Sequence, residues 1–198
     1  MSGKPLFLLK RPLWLASSSR YRRELLARLG LPFECLSPNL DETRREGEPP
    51  AELATRLALA KALAVAESQP QAIVIGSDQV CALGDDGLGK PGSRSAQIAM
   101  LERLSGQVVV FHTAVAIVNV ATALTRTHLD QTRCVFRKLD RTEIETYVER
   151  EPAYDCAGGF KSEGLGLTLL DRMETVDPTA LIGLPLIAVA TILRDWDA

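Results

Sequence analysis

The chain of 198 residues is 46% hydrophobic and 24% charged, and its 23 lysines and arginines against 25 aspartates and glutamates leave a formal net charge of −2. That balance excludes a broad nonspecific surface for nucleic-acid polymers or anionic membranes, which needs clustered excess cations. The longest apolar runs, such as Leu181 to Leu193 with Gly183 and Pro185 inside it, fall short of the roughly 20 residues of a membrane span. The length suits a single domain over residues 1–198 with a core that needs no staple. Lys4, Lys10 and Arg11 flank an apolar patch too brief for a signal peptide, so a cytoplasmic protein is expected. Cys35, Cys81, Cys134 and Cys156 form no C-x-x-C pair and no zinc pattern with His112 or His128, and read as reduced, mostly buried residues.

In chain order, Leu13 to Ala16 predicts a short strand, Ser17-Ser18-Ser19 a cap, and the recurrence of Leu25, Leu26 and Leu29 a helix stopped by Gly30. Phe33 to Leu36 predicts a second strand, and residues 37–50 an ordered polar loop with Asp41 and Glu42. The Ala- and Leu-rich stretch from Ala51 to Glu67 predicts a helix with Lys61 on or beside its apolar stripe. Ala72 to Ile75 predicts a strand ending at Gly76-Ser77-Asp78, so that Asp78 sits at its carboxyl end; Val80 to Leu83 can continue it before the turn-rich Gly84 to Gly92. Then follow a helix over 95–104, a long antiparallel pair from Val108 to Val120 and Leu124 to Leu139, and a helix over 142–150. A glycine-rich loop over 158–166, a last strand over 167–170 and a closing helix from Leu184 to Trp196 complete the order. The order argues for an α/β fold with a mixed, twisted central sheet flanked by helices and a cleft at the strand carboxyl ends.

Three patterns carry candidate chemistry. Gly84 to Lys90 spells G-x-x-x-x-G-K, but position 91 is Pro where a P-loop needs the hydroxyl that holds magnesium, and Asp85-Asp86-Gly87 has the composition of a β-turn. Ser17-Ser18-Ser19-Arg20-Tyr21-Arg22-Arg23 brings hydroxyls, free helix amides and guanidinium groups together, which suits phosphate; the plain alternative is a serine-capped helix with a solvated basic first turn. Asp78 is either a turn acid or a ligand-facing carboxylate at the sheet rim.

Taken together, L-A-S-S-S-R-Y-R-R-E-L-L (15–26), D-E (41–42), the Lys61 helix, G-S-D-Q-V (76–80), G-K-P (89–91), A-G-G-F-K-S-E-G-L-G (157–166) and L-I-G-L-P-L (181–186) resemble the Maf family of nucleoside triphosphate pyrophosphatases, nearly end to end. The resemblance implies cleavage between the α and β phosphates, giving a nucleoside monophosphate and pyrophosphate, with a divalent cation, Mg2+ or Mn2+. It implies Asp78 as acceptor of the attacking water's proton, Glu42 and Asp78 toward the metal, and Ser17, Ser19, Arg22, Arg23, Lys61 and Lys90 along the phosphates. Gln79 after Asp78, an aromatic at Tyr21 and Glu163 in F-K-S-E-G look like the branch that hydrolyses N7-methyl-GTP, with those three residues at the base. The branch acting on dTTP and UTP usually has Thr and Arg at positions 79 and 21. Two departures stand out: the family often carries Pro in place of Arg20, and this branch can carry Trp in place of Tyr21. The other readings are a dTTP/UTP enzyme and a noncatalytic nucleotide-binding regulator of septum formation; a homodimer is the working expectation.

Overall fold

A computed structural model describes residues 6–196. Its centre is a seven-stranded mixed sheet of order β2-β1-β3-β5-β6-β7, with β4 (Asp86–Leu88) paired to β3 off that path. The short strands β1 (Leu13–Leu15) and β2 (Glu34–Cys35) run parallel, and β1 also runs parallel to β3 (Ile73–Leu83). From β3 onward the pairs are antiparallel, through β5 (Val108–Asn119), β6 (Leu124–Phe136) and β7 (Leu170–Glu174). The mixed sheet and the long β5–β6 pair agree with the reading of the sequence.

Side-chain alternation sorts the core. Val74 and Val80 of β3 and Ala114, Ala116 and Val118 of β5 pack under α2 (Pro50–Ala66), while Ile73, Ile75, Val115 and Ile117 face α1 (Arg20–Ala27) and α5 (Leu186–Arg194). A third cluster forms around α3 (Arg94–Leu104) and α4 (Arg141–Arg150), where Phe160 meets Phe111 and Phe136 edge-on with ring centroids 5.6 and 5.4 Å away.

The sequence reading needs correction at several places. β3 does not stop at Gly76; it runs unbroken to Leu83, so Asp78 lies in mid-strand, opposite Ala114. Gly76 resembles turn punctuation because a small residue is needed there for a different reason: a Cβ at that position would stand 2.2 Å from the Ala58 carbonyl and 2.5 Å from the Ala62 nitrogen. The alanines at 54, 58, 62 and 66 recur every fourth residue, giving α2 a small-residue stripe that lets it lie close on β3. Gly84-Asp85 does make a tight turn, but Asp86–Leu88 is strand β4, pairing back on Cys81 to Leu83, and the G-x-x-x-x-G-K segment is therefore a hairpin and no phosphate loop. The last strand falls after the apolar run, since Leu165–Leu169 winds as a 3-10 helix and β7 begins at Leu170. The second strand and the closing helix are shorter than the reading, at Glu34–Cys35 and Leu186–Arg194.

The sheet edge explains where a site can form. On the side of β3 away from β5, β1 pairs with residues 73–75 and β4 with residues 81–83. Between them, residues 76–80 have no strand partner on that edge among the described residues. This gap opens just past the carboxyl end of β1, so the cleft lies at one strand's end and another strand's middle.

Candidate active site

Ser19 caps α1, its hydroxyl accepting from the Arg22 backbone N–H at 3.4 Å, and Ser17 accepts from the Ser19 N–H at 3.1 Å. The chain leaving β1 thus enters α1 with the helix amides turned toward the gap in the sheet. Ser17 is buried, at 7% exposure. Arg22 is half-buried and held by its Nε, which donates to the Gly183 carbonyl at 2.9 Å, 161 residues away in sequence. Burial lowers the Arg22 pKa, and the Asp78 carboxylate opposes that shift.

Lys61 and Asp78 form a buried ion pair in the cleft. Both are 7% exposed, and the Lys61 Nζ donates to Asp78 Oδ1 at 2.5 Å while lying 3.0 Å from Glu42 Oε1. The close seat of α2 on Gly76 brings Lys61, beside Ala62, down to Asp78, two residues beyond the glycine. Burial raises the Asp78 pKa above its ordinary value, with Lys61 and then Arg22 pulling the other way. A buried carboxylate of raised basicity, still paired with a cation, can accept a proton and can bind a metal.

Alternation along β3 sends Asp78 to the α2 side and Gln79 to the other. The Gln79 Nε2 lies 3.0 Å from Thr113 Oγ1 and 2.9 Å from the carbonyls of both Ala180 and Leu181. Its amide nitrogen is therefore committed to the chain that precedes α5, which leaves its side-chain carbonyl as the group able to meet a ligand. The Ser77 hydroxyl reaches Ala114 and Gly183 carbonyls at 2.8 and 3.0 Å. L-I-G-L-P-L (181–186) is in this sense a backbone scaffold for Arg22, Ser77 and Gln79.

Two joined cavities follow. The larger, of about 700 Å³, is lined by Ser17, Ser19, Glu42, Lys61, Asp78 and Lys90 among others; the smaller lies against Phe111, Phe160, Glu163 and Leu181. Ser19, Tyr21, Arg22, Gln79, Lys90, Asp155 and Ala157 line both. The residues singled out in the sequence thus converge, with one exception: Arg23 is exposed and lines neither cavity, because the next position along α1 turns it to solvent. Glu163 is exposed at the rim of the smaller cavity.

The sequence reading missed Asp155, Thr113 and the clamp on the acidic loop. Arg56 donates to both oxygens of Glu48, at 2.6 and 2.8 Å, and to the Thr43 carbonyl at 3.1 Å; Arg44 donates to the Glu48 and Asp85 carbonyls at 2.7 and 3.1 Å. These bonds fix the segment that presents Glu42. Glu48 and Arg56 stand eight residues apart across a loop and a helix start, a spacing with no periodic signature.

As for a metal, one oxygen of Glu42 and one of Asp78 are taken by the Lys61 ammonium, which leaves the second oxygen of each carboxylate, and no group of three His, Cys, Asp or Glu suited to a metal exists among the described residues. Two hard oxygen ligands beside an open cavity fit an ion such as Mg2+, which completes its shell with substrate oxygens and water.

The fold and the cleft define an α/β protein whose cleft, built at a sheet edge, is lined by Arg20, Arg22, Lys61 and Lys90 together with Glu42, Asp78, Asp155 and Glu163. Residues 12–196 match the family described as Maf-like protein, and the chain belongs to that family. It is 50% identical over 186 residues, covering 94% of each chain, to the 7-methyl-GTP pyrophosphatase of Albidiferax ferrireducens. It is 53% identical to the proteins of the same name from Polaromonas sp. and Aromatoleum aromaticum, over 93% and 91% of this chain and 84% and 93% of theirs.

Proposed function

We propose that this protein hydrolyses N7-methyl-GTP between its α and β phosphates, releasing N7-methyl-GMP and pyrophosphate. The names of relatives at about half identity over nearly the whole chain support the substrate. The observation that carries the chemistry is the buried Lys61–Asp78 pair facing the larger cavity, with Glu42 on the same ammonium.

In this reading the triphosphate lies in the larger cavity. Arg22, Lys61 and Lys90 spread positive charge along it, and Ser17, Ser19 and the first amides of α1 direct hydrogen bonds to its oxygens. Asp78 accepts the proton of the attacking water. Glu42 and Asp78 would hold a Mg2+ or Mn2+ ion, and that ion would supply charge neutralisation on the phosphates and a lower pKa for nearby water. The base enters the smaller cavity, where Tyr21 offers a π face, Gln79 its carbonyl and Glu163 a carboxylate at the rim. N7 methylation gives guanine a formal positive charge, and this set of groups favours it. We further place the reaction in the cytoplasm; the four cysteines stand unpaired, as a reducing compartment leaves them.

The test is a panel of N7-methyl-GTP, GTP, dTTP and UTP with Mg2+ or Mn2+. The highest kcat/KM is expected for N7-methyl-GTP; a higher value for dTTP or UTP overturns the base assignment. The Asp78→Asn variant is expected to fold with an unchanged circular dichroism spectrum and to lose about 10²- to 10⁴-fold in kcat. Near-normal turnover in that variant removes Asp78 from the role of base.

A further inference from the structure

The first residue of α1, Arg20, has a side chain in a definite position. The Arg20 guanidinium lies over the Tyr21 ring, 4.7 Å from the centroid, and its Nη2 donates to the Tyr21 hydroxyl at 3.0 Å. Tyr21 is half-buried and lines both cavities, and Asp155 lines both as well. Cys156 ties the two together, its Sγ 3.9 Å from the Tyr21 hydroxyl and 3.6 Å from Asp155 Oδ1. The Asp155 carboxylate favours the charged guanidinium of Arg20, after the larger effect of the tyrosine itself.

A guanidinium is a planar cation with delocalised charge. The ring of an N7-methylated guanine is one too. A π face with a carboxylate beside it, already holding one such group, is built to hold the other.

Resting on the reading above that the base is N7-methylguanine, we propose that Tyr21 and Asp155 form a subsite for a planar cation. Arg20 fills it in the free protein, and the methylated base displaces Arg20 to stack there. Arg20 is then a built-in competitor that lowers discrimination in favour of the methylated base, and Asp155 is a specificity-determining residue. If Arg20 instead keeps one face of the ring while the base takes the other, the two cations still repel through it, and the sign of the effect is the same. Any contact Arg20 makes with the phosphates acts on GTP and N7-methyl-GTP alike and cancels in their ratio.

The experiment measures kcat/KM for both nucleotides with wild type, Arg20→Ala, Asp155→Asn and Tyr21→Leu. Arg20 and Asp155 are exposed, so their variants are expected to keep the fold, checked by circular dichroism. Arg20→Ala is expected to raise the ratio of N7-methyl-GTP to GTP by about threefold and Asp155→Asn to lower it by about threefold, the scale of an exposed cation–π contact. Both changes are expected mainly in KM, and the effect of Arg20→Ala is expected to vanish in the Tyr21→Leu background. If wild type prefers N7-methyl-GTP but the ratio stays constant in Arg20→Ala and Asp155→Asn, the subsite is wrong and the base assignment survives. If wild type shows no preference for N7-methyl-GTP, the base assignment falls and the subsite falls with it.

Discussion

Glu48 shows how a single carboxylate can serve a site it never touches. Its two oxygens accept from Arg56, and one accepts the Arg45 N–H at 3.1 Å as well. Arg56 above all holds its pKa down, from 4.5 to about 2. A carboxylate depressed in the folded state stabilises the fold at pH values above its unfolded pKa, and that contribution disappears as pH falls through the folded value. The thermal midpoint is therefore expected to fall as pH is lowered from about 5 to about 2, and Glu48→Gln is expected to flatten that part of the curve. An unchanged slope in the variant would show that the pair does not hold the loop. Because the loop carries Glu42, the same variant is expected to weaken turnover at neutral pH.

At the scale of elements, the decisive contact is α2 on β3. Gly76→Ala places a methyl group 2.2 Å from a helix carbonyl that cannot move without the helix. We expect a loss of about 1 to 3 kcal/mol, typical of overpacking, measured by denaturant unfolding. The kcat is expected to fall further than the stability loss explains, because Lys61 is lifted away from Asp78. A variant as stable and as active as wild type would contradict the close-approach account. The same contact shows what was legible in the sequence. The α2 helix and the apolar half of β3 follow from periodicity and β-branching. The continuation through Gly76-Ser77-Asp78 does not, since all three have the composition of a turn, and what keeps them in a strand is remote: alanines 14 to 18 residues earlier and carbonyls at 114 and 183. The sequence places β7 too early for a related reason. Its strand residues Asp171 and Arg172 are exposed on the sheet's edge, while the apolar Leu169 that anchors the segment belongs to the 3-10 turn before it.

Across the whole molecule, the cleft draws on segments from Ala16 to Gly183, and the order of short blocks along the chain reveals that set better than any block alone. Ser17, Ser19, Tyr21, Arg22, Glu42, Lys61, Asp78, Gln79, Lys90 and Glu163 were visible in this way and line the cavities; Arg23 was grouped with them because a basic run does not reveal which of its members faces inward. Asp155 and the Glu48–Arg56 clamp were not legible, because their roles arise only from tertiary neighbours. No helix among the described residues is long and apolar enough to cross a membrane. In the function proposed above, this cleft cleaves a triphosphate between its α and β phosphates. Phosphorus NMR of the products formed from N7-methyl-GTP with Mg2+ tests it most directly. Nucleoside monophosphate and pyrophosphate are expected in equal amounts, and from Asp78→Asn about 10²- to 10⁴-fold more slowly; nucleoside diphosphate with orthophosphate, or the same products from Asp78→Asn at the wild-type rate, would overturn this assignment.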